Sequence, residues 1–527
     1  MFRRFAAVIL SAILLSPGWL GVTGMTLLVG FVPLLWISAS YDDTRRSWWG
    51  MFGWAALAFV LWNAMTIWWI WYATPVGPPA ATLASTTMNM IAFMLFHTVS
   101  KKAPKALAYV TLVTAWITTE YWYTVGDFSW PWLILGNGFS HEVWAVQWYE
   151  YTGVFGGTLW VLLSNILIFE ALRTRSARRW IAAACIVIVP MAVSLAIRGS
   201  WKQPGEGSVA VSVIQPNVDC YDKFHGDVQR QERNIADLLA EVPAGAQFIL
   251  LPETAVPGDY LEPGLSDFYS AGEPGAFWQE LTDSLRSRHP EALLITGAGT
   301  IRRYPAGAQT ETARPERFGN GYFDRFNTAV GLDSAGRTQL HHKGRLVIGV
   351  ENTPTWVFDV LKFLVIDLGG TVGQIGKGLH GTAFEHNGVK AGPAICYEGL
   401  YGDFYGGFVR RGAQFMAIIS NDGWWGDTPG YKDLFSISRL RAVEHRRAIA
   451  RSANTGKSGF ISARGDVDET LGWEQRGVIT AEVPLNSELT FYTRYGDYLA
   501  RISEYVLLLS VLYYVAYRYK RRNHLVK

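Results

Sequence analysis

Charge is scarce in the first part of this 527-residue chain, and cysteine is scarce throughout. Lys, Arg, Asp and Glu make up 17% of the sequence, against about 25% in a typical soluble protein. Residues 1–200 hold 19 of the 91 charged side chains, so that stretch is roughly 10% charged and the remainder roughly 22%, close to ordinary soluble composition. The deficit excludes a single soluble domain, and the ordinary remainder excludes a chain embedded wholly in a membrane. A net charge of +3 is too small for a surface that binds nucleic acid by counterion release. Three cysteines cannot build a disulfide framework, and an odd number leaves at least one free thiol.

What the first part has instead is apolar sequence. A helix needs about 17–25 such residues to cross a hydrocarbon core, and runs of this kind fall at 5–22, 24–39, 50–72, 80–99, 106–124, 155–172, 180–197 and 499–517. The first run follows Arg3 and Arg4 but lacks a small-x-small cleavage site and leads straight into another apolar run. It therefore reads as a retained helix, not a signal peptide. Positive charge orients the set. Arg3 and Arg4, Arg45 and Arg46, Lys101, Lys102 and Lys105, the arginines at 173–179, and Lys520 to Arg522 all fall in loops on one side, while the alternate loops carry almost no Lys or Arg. Eight helices with both ends cytoplasmic satisfy this pattern and put 205–487 on the extracytoplasmic face. The Trp and Tyr residues crowded between Trp48 and Tyr72 suit interfacial anchoring. Glu120 and Glu170 are expected at helix ends within reach of water, and no intramembrane charge pair suggests transport.

From 205 to 487 the pattern changes to short apolar runs separated by polar helical stretches. Strands are expected at 209–218, 247–256, 292–301, 326–333, 389–398 and 414–422, and helices at 227–241, 275–288 and 431–452. Alternation of this kind indicates an α/β layered domain. Several strand ends carry reactive or polar residues: Glu253, Cys396, and Asn421 with Asp422. An isolated Cys in an apolar strand is usually an inert core residue, but the strand holding Cys396 breaks at once into polar and glycine residues. A nucleophilic thiol there needs a base and a positive neighbour. Glu253 or one of His341 and His342 would serve as the base, and Lys343 would supply the charge. The histidine pair has no partner that suggests a metal site. GGTVGQIGKG (369–378) fails the phosphate-loop pattern and reads as a flexible loop. The apolar stretch 355–370 suits either a core helix or a membrane-touching lid. Glu444, in a run of arginines, is expected to form a structural ion pair.

The segments LLPETAVPG, HHKGRLVIGVE and GPAICYEGL, in that order, resemble the three catalytic blocks of the nitrilase superfamily, whose members use a Glu–Lys–Cys triad. Glu253 and Lys343 are 90 residues apart, and Lys343 and Cys396 are 53 apart, spacings that suit it. A domain of this kind between a seventh and an eighth transmembrane helix resembles the bacterial apolipoprotein N-acyltransferase family in particular, over essentially the whole chain and including the block 419–456. The resemblance implies an α-β-β-α sandwich for 205–487, seven helices in 1–200, and a helix with a basic tail in 488–527. It implies Glu253 as general base, Lys343 as the cation at the thiolate and oxyanion, and Cys396 as nucleophile, supported by Glu351, Tyr397, Glu398 and Trp424. The family often has Trp in the loop after the first strand, where this chain has Phe224, so no role is carried to that position. The implied reaction moves an acyl chain from a membrane phospholipid, through a Cys thioester, to the α-amine of a diacylglyceryl-Cys on a lipoprotein. No cofactor is implied, and the chain is expected to act as a monomer in the bacterial inner membrane with the catalytic domain facing the periplasm. The alternative is a membrane-tethered amidase of the nitrilase type acting on a small amide or nitrile.

Overall fold

The computed structural model describes residues 1–126, 129–267, 275–316, 319–348, 351–352 and 375–523, with backbone only at Phe224 and His225. The apolar stretch 355–370 and most of 369–378 lie outside the described residues.

Long apolar runs without strand punctuation form helices. In chain order these are α1 (Phe2–Leu15), α2 (Leu27–Gly30), α3 (Val32–Ala39), α4 (Arg45–Thr66), α5 (Gly77–Lys102), α6 (Lys105–Val125), α7 (Val154–Thr174) and α8 (Ala177–Ser200). With the C-terminal helix Tyr498–Arg522 they make one unit, Met1–Trp201 together with the chain from Tyr495. Among the described residues, five helical segments are long and apolar enough to cross a membrane: Phe2–Trp19, Gly77–Lys102, Val154–Thr174, Ala177–Ser200 and Tyr498–Arg522. α4 and α6 match them in length, at 22 and 21 residues. The segment Leu27–Ala39 is shorter.

Two buried polar residues explain how this unit closes. Pro33, near the start of α3, has no N–H to donate and breaks the run expected over 24–39 into α2 and α3. The break frees backbone groups in apolar surroundings, where each needs a partner. Asn165 on α7 supplies them. Its Oδ1 accepts from the N–H of Phe31 at 2.7 Å and of Val32 at 3.2 Å, and its Nδ2 donates to the carbonyl of Leu27 at 2.7 Å. Glu120, expected to reach water, is instead only 5% exposed. Residues 131–145 turn back in short 3₁₀ segments, and Glu120 is tied to that turn. Its carboxylate accepts from the Trp116 indole at 3.0 Å, the Leu135 N–H at 2.8 Å and the Thr158 hydroxyl at 2.6 Å. Glu170 is held by Tyr109, Arg173 and Arg179.

The second unit is Lys202–Arg494. Its first sheet contains β1 (Ser208–Gln215), β2 (Phe248–Leu250), β3 (Val256–Leu261), β4 (Ser266–Asp267), β5 (Leu293–Tyr304), β6 (Arg314–Pro315), β7 (Tyr322–Asp333), β8 (Thr338–His342) and the late strand Gly477–Pro484. β5 carries β2 and then β3 in parallel along one edge, with antiparallel β7 along the other; β8 pairs with β7. Helices α9 (Val228–Glu241) and α10 (Ala276–Arg288) cover this sheet. They set Ile235, Leu238, Leu281 and Leu285 against Ile249, Leu251, Leu294 and Val330.

The second sheet runs β14 (Val467–Leu471), β13 (Ser458–Ile461), β12 (Ile449–Ala453), β11 (Phe415–Ser420), β10 (Val389–Gly392), β9 (Phe384–His386). Its outer face is covered by α11 (Gly402–Arg410) and α12 (Pro429–His445), through Phe408, Phe435 and Ala442 on Met416, Ile418 and Ile449. The inner faces of the two sheets meet: Phe248 lies edge-on to Phe415 at 5.0 Å, and the Ser452 hydroxyl donates to the Ile214 carbonyl at 2.7 Å. The layers are therefore helix, sheet, sheet, helix. One expectation is corrected here. The helix expected over 431–452 ends at His445, Arg446 is left-handed at φ +49°, and Ile449–Ala453 is a buried strand. Ala and Arg favour helix intrinsically, but the slot between β11 and β13 decides the outcome by burial and ladder hydrogen bonds.

Candidate active site

β2 stops at Leu250 and β3 begins at Val256, so Glu253 sits where the chain changes register along β5. The crossing is tight: a Cβ on Gly297 of β5 would lie 2.2 Å from the Thr254 nitrogen, so only glycine fits there. Lys343 follows β8 directly, and its N–H donates to the carbonyl of Asn327 on β7 at 2.8 Å. Glu253 and Lys343 are 4% and 1% exposed, and buried charges persist only when paired. The Lys343 Nζ donates to Glu253 Oε1 at 2.7 Å and to Glu351 Oε1 at 3.0 Å. The Asn327 amide bridges the same two carboxylates, at 2.7 Å to Glu253 and 2.8 Å to Glu351. Glu253 Oε2 accepts from the backbone N–H of Asn421, beyond the end of β11, at 2.9 Å. Glu351 Oε2 accepts from the Val347 N–H at 2.9 Å.

Cys396 opens a short 3₁₀ turn, Cys396–Leu400, with φ +46°. A left-handed conformation is uncommon for a side chain with a Cβ and persists only where the surroundings enforce it. Here Glu398 does so. Its fully buried carboxylate accepts from the Ile395 N–H at 2.7 Å and the Gly344 N–H at 2.6 Å, and it faces His341 Nε2 at 3.2 Å. One carboxylate thus fixes both the turn bearing Cys396 and the residue after Lys343. Tyr397 is buried against Tyr401, ring centroids 5.5 Å apart, and Trp424 meets Tyr221 edge-on at 5.3 Å on the loop after β11. His342 pairs with Glu262 at 2.5 Å.

The charges set the resting protonation states. Burial alone would raise the Glu253 pKa, but the charge and hydrogen bond of Lys343, with the Asn327 amide and the charge of Lys223, hold it below the ordinary carboxylate value. Burial opposes the charge on Lys343, yet Glu253, Glu351 and Cys396 outweigh it and keep the lysine firmly protonated. The Cys396 thiol is pushed up to about 12, by burial first and by Glu253 second, with Lys343 pulling the other way. The resting state is therefore carboxylate, ammonium and thiol, not a preformed thiolate. The arrangement can accept a thiol proton onto Glu253 as the sulfur attacks, and can present the Lys343 ammonium to the negative charge that develops.

Three participants were missed by sequence reasoning. Asn327 sat inside a segment read only as a strand. Asn421 was noted for its strand end, but it is its backbone N–H that meets Glu253. Lys223, buried in the turn after β1, donates from Nζ to the Glu253 backbone carbonyl at 2.6 Å. Behind the site, Asp422 and Arg451 form a fully buried pair at 3.0 Å, and Arg441 pairs with Glu444 at 2.9 Å.

Comparison with known proteins places this geometry in context. The carbon-nitrogen hydrolase family model matches residues 210–489, and the model of the apolipoprotein N-acyltransferase N-terminal domain matches residues 11–167. The apolipoprotein N-acyltransferase of Chlorobaculum tepidum is 28% identical over 520 residues, covering 94% of this chain and 93% of that protein. That of Geobacter metallireducens is 26% identical over 398 residues, covering 73% of this chain and 70% of its own. A solved nitrilase-superfamily protein of Saccharomyces cerevisiae aligns over 53% of this chain and 90% of that one, at 17% identity and a TM-score of 0.38.

Proposed function

We propose a mechanism for a chain that belongs to the carbon-nitrogen hydrolase family and, by its N-terminal unit and its full-length relatives, to the apolipoprotein N-acyltransferases. The reaction is acyl transfer in two halves. In the first, Cys396 Sγ attacks the ester carbonyl of a membrane phospholipid while Glu253 takes the thiol proton. Lys343 and a backbone N–H following Cys396 hold the oxyanion. The C–O bond then breaks, Glu253 returns the proton to the departing alkoxide, and a lysophospholipid leaves a thioester on Cys396. In the second, the α-amine of a diacylglyceryl-modified N-terminal Cys attacks the thioester. Glu253 takes the proton the amine loses and passes it to the departing sulfur, which restores the thiol. Glu351 and Asn327 keep Lys343 directed at the site. Glu398 keeps the Cys396 turn in register with Lys343.

The observation that carries this reading is the buried Lys343 shared between Glu253 and Glu351 and charge-coupled to Cys396. The N-terminal helical unit supports lipid substrates over a small amide, because both proposed substrates are anchored in a bilayer. The Lys and Arg pattern supports eight crossings, both ends cytoplasmic, and a catalytic unit on the periplasmic side of the inner membrane. The test is incubation with phospholipid carrying a labelled acyl chain, followed by mass spectrometry of the Cys396 peptide and then addition of a diacylglyceryl peptide. Label should appear on Cys396 and move to the peptide amine. Hydrolysis of small amides without acyl label on Cys396 would replace the reading with an amidase.

A further inference from the structure

Lys223 follows Cys220 in the turn after β1 and is only 6% exposed. An ammonium at that depth must have an acceptor. Among the described residues no carboxylate lies within ion-pair distance of it, and its Nζ acceptor is the backbone carbonyl of Glu253 at 2.6 Å. The lysine is itself tethered. Its N–H donates to the Asp219 carbonyl at 2.9 Å, and its carbonyl accepts from the Gln231 amide of α9 at 3.1 Å.

The peptide it grips is unusual. Thr254 is left-handed at φ +49°, a poor conformation for a β-branched residue. Its hydroxyl donates to the same Glu253 carbonyl at 2.8 Å. Gly297 presses on this peptide from the β5 side. The backbone that aims Glu253 is therefore held from behind by two donors in a conformation it would not keep unaided.

We infer that Lys223 is a positioning residue for acyl transfer: by clamping the Glu253 carbonyl it fixes the direction in which the Glu253 carboxylate meets Lys343 and Cys396. The inference rests on the reading of Glu253 as the base. Lys223 touches no reacting atom. The charged or titratable groups facing the Glu253 carboxylate are Lys343, Cys396, Asp422 and Lys223, with Glu351 across Asn327; those facing Lys223 are Glu253 and Cys220. Burial brings Lys223 down to about 7, against the opposing pull of Glu253 and Cys220. At the lower pH where Glu253 begins to protonate, Lys223 is charged and favours the ionised carboxylate.

The test uses the full-length enzyme with labelled phospholipid in single-turnover acylation, comparing Lys223→Met, Lys223→Gln and Lys223→Arg with Glu253→Gln. Lys223→Met should slow acylation about 10–100-fold, the scale of a small misplacement near the chemistry, with an unchanged KM for phospholipid. Its acid limb should move to higher pH, because the carboxylate loses a stabilising charge. Lys223→Arg, which keeps donor and charge, should recover much of the rate and return the limb. Wild-type acylation in Lys223→Met beside an inactive Glu253→Gln would overturn the positioning role and leave the base intact. Equal slowing in all three Lys223 variants with an unmoved limb would reduce Lys223 to packing. Near-normal acylation in Glu253→Gln would overturn the base itself. If Lys223→Met does not fold, the Gln and Arg variants decide by the same criteria.

Discussion

The two units of this chain both bury polar groups, but for opposite ends. In the helical unit, Asn165 spends its hydrogen bonds on backbone groups at a proline break, and Glu120 takes the Leu135 N–H of a returning loop together with two side-chain donors. In the catalytic unit, Glu253, Lys343 and Glu351 are held against one another and Glu398 against two turns, so that each polar group has a protein partner. Desolvation is costly in both. One unit uses a polar side chain to mend its backbone, and the other uses backbone and neighbouring charges to maintain a reactive set. Removal should therefore cost fold in the first and chemistry in the second.

The sharpest way to break that comparison is Cys396→Ala, which should abolish the labelled acyl adduct while leaving thermal unfolding close to wild type. A folded variant that still loads acyl chain would remove the nucleophile from the mechanism. Glu253→Gln should slow loading by roughly 10²–10⁴, as loss of a general base does, measured in single turnovers. Lys343→Met crosses the divide. It leaves the buried Glu253 and the part-buried Glu351 without their cation, and breaking a buried pair costs about 3–5 kcal/mol, so denaturant unfolding of the catalytic unit should register it as well as activity.

Smaller effects sharpen the same contrast. Asn165→Leu removes the side-chain acceptor that the N–H groups of Phe31 and Val32 share. At about 1–3 kcal/mol for a buried unsatisfied group, it should lower the detergent melting temperature without moving the pH profile of acylation. An Asn165→Leu enzyme of wild-type stability would refute the mending role.

The pH profile itself follows from Glu253. Its pKa is held below the ordinary carboxylate value, so the ion pair contributes stability above the unfolded-state pKa and loses it as pH falls through the folded value. Acylation should accordingly stay constant on acidification until below the usual glutamate range. In whatever Lys343→Met enzyme folds, burial governs Glu253 and the acid limb should move to higher pH. A limb that stays in place would mean that another group sets it.

Much of this was legible in the sequence. Each apolar run from 5–22 to 499–517 has helix over most of it, because apolar residues out of water must pair their backbone locally. Prolines such as Pro17 and Pro33 shorten or divide the helices. The strands expected at 247–256 and 389–398 are shorter in the structure, since the chain leaves each sheet before Glu253 and Cys396. Reactive residues at strand ends, with the three blocks, single out Glu253, Lys343 and Cys396 in the sequence.

Tertiary structure alone decided the rest. Asn327 meets Glu253 across 74 residues and Asn421 across 168, separations at which no periodicity or composition carries information. The break at Pro33 divides a run expected to be continuous, and Asn165 mends it from 134 residues away. The strand at Ile449–Ala453 reads locally as helix and becomes strand because two neighbours offer it a ladder. Protonation was likewise beyond the sequence: whether Glu253 is raised by burial or lowered by Lys343 depends on a 2.7 Å contact. Local pattern determines which segments must leave water, while the partners that a buried charge finds there are set by how distant segments pack.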